Sequence, residues 1–234
     1  MIPAMKRIIA ALAAFAALTP AVAAERRYSV TDFDRIQLEG PYEVVLRTGL
    51  ASAARAEGTP AALERISIDV QGRTLRIRPN RSGWGGYPGE SAGPVRVEVA
   101  TRDLRTAVVV GAGSLAIDRM GGLRADLSLS GSGRISAGTI LADNLGLGIV
   151  GSGRMTVGGR AKQLRATVQG SGDLAAANLR ADDATLVAET SGSVTVAVVR
   201  SAKVTASGAG DVVVLGTPSC TVQARGAGSV RCGR

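Results

Sequence analysis

A glycine-cornered triplet recurs seven times in the second half of the chain: Gly111-Ala112-Gly113, Gly131-Ser132-Gly133, Gly151-Ser152-Gly153, Gly170-Ser171-Gly172, Thr190-Ser191-Gly192, Gly208-Ala209-Gly210 and Gly226-Ala227-Gly228. Successive starts lie 20, 20, 19, 20, 18 and 18 residues apart. A unit of that length cannot bury its own apolar face and must stack on copies of itself. The period therefore predicts an all-β solenoid with about 18–20 residues per coil.

The register follows by counting from each triplet. At offsets minus six, minus four and minus two the residues are apolar, as in Ala125, Leu127 and Leu129, or Leu145, Leu147 and Ile149. After the triplet the apolar offsets are plus four and plus six, as in Ile135 and Ala137, or Val212 and Val214. Alternation with period two is the signature of a strand with one buried face. Each coil thus reads as strand, glycine corner, strand and a return segment. The inward column Leu129, Ile149, Val168, Ala188, Ala206, Ala224 loses volume as the coil shortens, which predicts a taper toward the C-terminus. Because each triplet leads into an alternating strand and not a helix, no phosphate loop is implied. Only Asp173 and Asp211 follow a corner as acids, and Arg134 and Arg154 hold that offset elsewhere, which disfavours a calcium ladder.

Residues 25–110 lack the triplet but remain strand-like, with turn signals at Glu39-Gly40-Pro41, Gly58-Thr59-Pro60 and Gln71-Gly72. They read as irregular opening coils continuous with the repeats of 111–234, with one helical turn near Ala61–Arg65. Between Pro79 and Pro94 a glycine-rich loop carries Trp84, the only tryptophan, together with Tyr87. Loops that present aromatic side chains from a rigid scaffold serve as contacts for sugars or partners, and they also fold back as lids.

Residues 1–24 read as an export signal: Lys6 and Arg7, an apolar run Ile8–Leu18, and small residues through Ala24 for cleavage after Ala23 or Ala24. Met5 is the expected start of translation, and neither cysteine lies where a lipid anchor would attach. The mature chain 25–234 is expected to be a single solenoid domain outside the cytoplasm, in the periplasm or at the cell surface, with no transmembrane segment. Without Lys6 and Arg7 the formal charge falls from +9 to +7, carried almost wholly by arginine. That surface suits an anionic envelope polysaccharide or another envelope protein, whereas the lack of charge blocks with interleaved aromatics disfavours nucleic acid. Cys220 and Cys232 sit six residues either side of Gly226, both at inward offsets, and are expected to form a disulfide inside the last coil.

The run Phe33-Asp34-Arg35-Ile36, then Gly40-Pro41-Tyr42-Glu43-Val44-Val45-Leu46, then Leu75-Arg76-Ile77 and the repeated Gly-Ser-Gly corners resembles the head-GIN domain family of autotransporter adhesin-like exported proteins. The resemblance covers about residues 29–230. It implies a right-handed β-helix-like fold and a cell-envelope location, and it carries over no active-site residues or cofactor. An autotransporter passenger would be followed by a membrane barrel, and none follows the repeats before Arg234.

With no histidine in the chain, Ser-His-Asp and Cys-His catalysis are excluded. A carboxylate-pair hydrolase or an arginine-assisted lyase acting on polysaccharide stays open as an alternative, although the outward acids do not share one column. The favoured reading is a non-catalytic binding or adhesion-like module, with a purely structural envelope element as the next. If a ligand binds, Arg134 and Arg154 on adjacent coils, and Trp84 with Tyr87, are the expected contacts.

Overall fold

The computed structural model describes residues 24–80 and 93–233, so the segment up to Ala23, where the export signal is expected, lies outside the described residues. Of the described residues 74% are strand and 3% helix, wound as a β-solenoid of about six turns. In chain order the elements are β1 (Ala24–Tyr28), β2 (Arg35–Glu39), β3 (Glu43–Thr48), β4 (Ala53–Gly58), α1 (Pro60–Glu64), β5 (Ile66–Gln71), β6 (Thr74–Pro79), β7 (Arg96–Thr101) and β8 (Thr106–Gly111). The repeats follow as β9 (Ser114–Gly131), β10 (Arg134–Gly151), β11 (Arg154–Gly170), β12 (Asp173–Thr190), β13 (Val194–Gly208), β14 (Val212–Leu215), β15 (Ser219–Gly226) and β16 (Val230–Cys232).

Inside the repeats the coils pair in parallel and in the register counted from the triplets. Leu129, Ile149, Val168 and Ala188 are successive partners and all buried. After the corner, Leu115, Ile135, Met155, Leu174, Val194 and Val212 are buried likewise. The column continues through Ala206 to Ala224, but β15 is exposed along its whole length, because among the described residues no coil stacks on its far side. The return segment is itself strand, so β9, β10 and β12 run for 18 residues each without a break. Met120, Ile140 and Leu179, with Gly159 between the last two, give this third face one buried column, and Ala142, Ala161, Ala181 and Val198 give it a second.

Two features make the corner a glycine site. The first position adopts φ of 114° at both Gly131 and Gly151, a region that costs an L side chain strain. At the third position a Cβ on Gly153 would sit 2.7 Å from the Gly133 carbonyl oxygen, and one on Gly172 2.8 Å from that of Gly153. Thr190 is the exception at the first position, and it is buried. Its hydroxyl accepts from the Gly192 N–H at 2.9 Å and donates to the Gly172 carbonyl at 3.3 Å.

The N-terminal part is more ordered than irregular coils and is not wound in chain order. β2, Gly40 and β3 already form a coil: Gly40 has φ of 100°, its N–H bonds the Val110 carbonyl, and β2 and β3 pair in parallel with β8 and β9. On the other side of that coil lie β6 and β7, again parallel, although they come later in the sequence. Antiparallel β5, β4 and β1 then close this end. The expected helical turn is α1, with Pro60 at its start and the Thr59 hydroxyl accepting from the Ala62 N–H at 3.1 Å.

Variation in coil length is absorbed away from the glycine corner. Register shifts fall between Ala137 and Ile140, between Thr156 and Gly158, and between Ala176 and Arg180, where the second face bends into the third, and once more between Ala181 and Asp183, where the third face turns back toward the first. The glycine corner stays fixed while those bends take up slack.

Candidate functional site

The first residue after each corner forms a continuous column along one edge: Arg96, Glu43, Ser114, Arg134, Arg154, Asp173, with Ser193, Asp211 and Ser229 beyond. Arg134 and Arg154 are direct partners on adjacent coils. The basic run stops there. Arg154 donates to one oxygen of Asp173 from Nη2 at 2.9 Å and from Nε at 3.3 Å. The other Asp173 oxygen accepts from both the N–H and the hydroxyl of Ser193, each at 2.9 Å. These hydrogen bonds, the Ser193 N–H foremost and the Arg154 guanidinium next, hold the Asp173 carboxyl below its ordinary pKa. Asp211 repeats the arrangement on Ser229, with the hydroxyl at 2.6 Å, and its carboxyl is lowered for the same reason. Arg134 has no carboxylate partner among the described residues.

Trp84 and Tyr87 lie outside the described residues. The strands that flank them are placed: β6 ends at Pro79, and β7 begins at Arg96, the head of the same corner column. Arg96 stands three strand spacings from Arg134, on the order of 14 Å.

Counting outward offsets reveals a second feature. Offsets minus seven and minus five line an open lateral groove of about 850 Å³ on the first face. Its rungs offer Arg124, Asn144, Gln163 and Asp183 in one column and Asp126, Gly146, Arg165, Thr185 and Lys203 in the other. Gly146 leaves the floor open for the Asp126 carboxylate, which a Cβ there would strike. Asp183 is engaged by Arg200 at 2.6 Å and by the Ser201 hydroxyl at 2.7 Å. Arg124, Arg165 and Lys203 carry no ion pair among the described residues, so the groove has an excess of uncommitted cations. These residues were not singled out from the sequence. The signal was nonetheless there, since the offsets that placed the core also place the two outward columns. The groove and the Arg134/Arg154 pair lie on different faces and do not form one site.

Cys220 and Cys232 are bonded, with Cα atoms 6.6 Å apart. Their expected place inside the coil needs correction: Cys220 is exposed and Cys232 half-buried, because the inward face of the last coil is uncovered.

The class of architecture the described residues define is a β-solenoid with periodic polar columns on its outer faces. The chain belongs to the family described as "Putative auto-transporter adhesin, head GIN domain", whose sequence profile matches residues 32–218. No curated protein matches the sequence. Among solved structures, a putative adhesin from Bacteroides fragilis superposes with a TM-score of 0.82 at 18% identity, covering 91% of this chain and 97% of that one. A putative lipid binding protein from Parabacteroides distasonis gives 0.70 at 22% identity, covering 89% and 95%. A putative adhesin from Parabacteroides merdae gives 0.66 at 17% identity, covering 89% and 95%. These likenesses establish the shared fold. The family and these structures are named for adhesion and lipid binding, not for catalysis.

Proposed function

We propose that the protein is an exported, non-catalytic module of the cell envelope that holds an anionic polysaccharide along the lateral groove of its first face. The observation that carries this reading is the set of uncommitted cations, Arg124, Arg165 and Lys203, spaced along a groove with amides and hydroxyls on the rungs between. A repeat that presents donors at each strand spacing matches a ligand that is itself a chain of similar units. Guanidinium and ammonium groups supply attraction to carboxylate or sulfate, and Asn144 and Gln163 supply hydrogen bonds to hydroxyls. Arg134 and Arg154 form a secondary contact on the corner edge, with Arg134 the stronger of the two because Asp173 neutralises Arg154. Trp84 and Tyr87 serve as an additional aromatic contact.

Export fits this reading, in the periplasm or at the surface, with the mature chain as one domain. Ala24 pairs with Gly58 as the first residue of β1, so cleavage after Ala23 leaves that strand complete.

The test is affinity electrophoresis of the mature protein in gels containing polygalacturonate at several salt concentrations. Retardation should weaken with salt and fall on Arg165→Ala/Lys203→Ala, and fall less on Arg134→Ala/Arg154→Ala. Trp84→Ala should lower retardation without changing the salt dependence. Retardation that none of these substitutions alters would overturn the site assignment, and a protein that is never retarded would overturn the reading.

A further inference from the structure

The third face, built by the return strands, has a composition that neither the groove nor the corner edge shares. Leu141, Arg160 and Arg180 are successive partners on its outer side. They wall a shallow trough of about 520 Å³ whose floor is made by Ala142 and Ala161. Leu123, Leu141 and Val199, exposed by 80%, 55% and 41%, are the large aliphatic side chains of this face that reach solvent.

The acids of this face are already committed. Asp143 pairs with Lys162 at 2.8 Å and Asp182 with Arg200 at 3.9 Å, while Arg200 also reaches the groove's Asp183 at 2.6 Å. Arg160 and Arg180 therefore stand one strand spacing apart with no carboxylate partner among the described residues. Stacked guanidinium groups repel unless an anion lies between or above them. The partner that satisfies this face must be anionic and must also gain from contact with leucine and valine.

We propose that the third face docks on the surface of an anionic phospholipid bilayer, with the solenoid axis lying along the membrane. Arg160 and Arg180 donate to lipid phosphates from their forked guanidinium groups, while Leu123, Leu141 and Val199 enter the boundary between headgroups and acyl chains. A polysaccharide would use the arginines and gain nothing from the three aliphatic side chains, and that difference decides between the two partners. The proposal uses side chains other than those of the polysaccharide groove, so either can fail without the other.

The experiment is co-sedimentation of residues 24–234, which contain every element of the fold, with vesicles. Equimolar phosphatidylglycerol and phosphatidylcholine are compared with phosphatidylcholine alone. Binding is expected on the anionic vesicles only. Arg160→Ala/Arg180→Ala should lower partitioning on the order of tenfold and reduce its salt dependence. Leu123→Ser/Leu141→Ser should lower partitioning several-fold with the salt dependence unchanged. All four side chains are exposed, and the thermal midpoint of each variant, which should match the parent, verifies folding. Equal binding to both vesicle types, or no binding, overturns the proposal. So does loss of binding on the arginine substitutions with none on the leucine substitutions, which would make the trough a simple anion site.

Discussion

Arg154 and Asp173 are Cα partners on adjacent coils, and their side chains are joined at 2.9 Å at the point where each strand leaves its glycine corner. The pair is half of a relay, because the same carboxylate caps the Ser193 N–H of the next coil at 2.9 Å. The acids that follow a corner therefore stitch successive turns together, and Asp211 with Ser229 repeats the stitch two coils further on.

Asp173→Asn should destabilise the solenoid by roughly 1 kcal/mol, since it weakens charge-assisted hydrogen bonds at a partly exposed position. The folded carboxyl is depressed, so its stabilisation is present above the unfolded pKa and lost as the pH falls through the folded one. The parent should lose stability below about pH 4, and the variant should lose less over that range. Chemical denaturation at a series of pH values measures both slopes, and parallel slopes would refute the assignment.

Substitution at the third triplet position should be costly. Gly153→Ala places a methyl group against the Gly133 carbonyl, and the same change at Gly172 meets that of Gly153. Each should cost about 2 kcal/mol or more, because backbone stacked at strand spacing has little room to move. Thermal melts comparing Gly153→Ala with Ser152→Ala, the exposed middle residue of the same triplet, isolate the effect.

Core truncations should lose their cost toward the C-terminal end. Leu147→Ala, at a position only 3% exposed between two stacked coils, should cost about 2–5 kcal/mol. Val222→Ala occupies the same offset in β15, where the side chain is 42% exposed, and should cost well under 1 kcal/mol. Equal costs would mean that the last coil is covered in solution.

Reducing the Cys220–Cys232 bond should release the last coil before the rest. A closure of 12 residues is worth roughly 2–3 kcal/mol on the chain-entropy account, and β15 has little burial to replace it. Hydrogen exchange under reducing conditions should accelerate across Ser219–Cys232 and stay unchanged in β10 and β11. Uniform acceleration would show instead that the bond supports the whole solenoid.

Counting from the triplets was enough to give the stacking direction, the inward columns of two faces and the partnership of Arg134 with Arg154. This works because those positions keep a constant offset from a corner that only glycine or a capped threonine can occupy. The N-terminal winding was not legible: β6 and β7 lie next to β2 and β3, while β8 and β9 lie on the other side, an order set by which edges remain free. The third face was not legible either. Arg160 is nine residues beyond the start of its triplet and Arg180 ten beyond its own, so equal offsets would place them on different rungs. The shift between Thr156 and Gly158 brings them into register. Local sequence thus determined the repeat and its core, because strand alternation and corner geometry are short-range. Only the tertiary structure decided which charges meet across coils, because that depends on where each turn absorbs its extra residue.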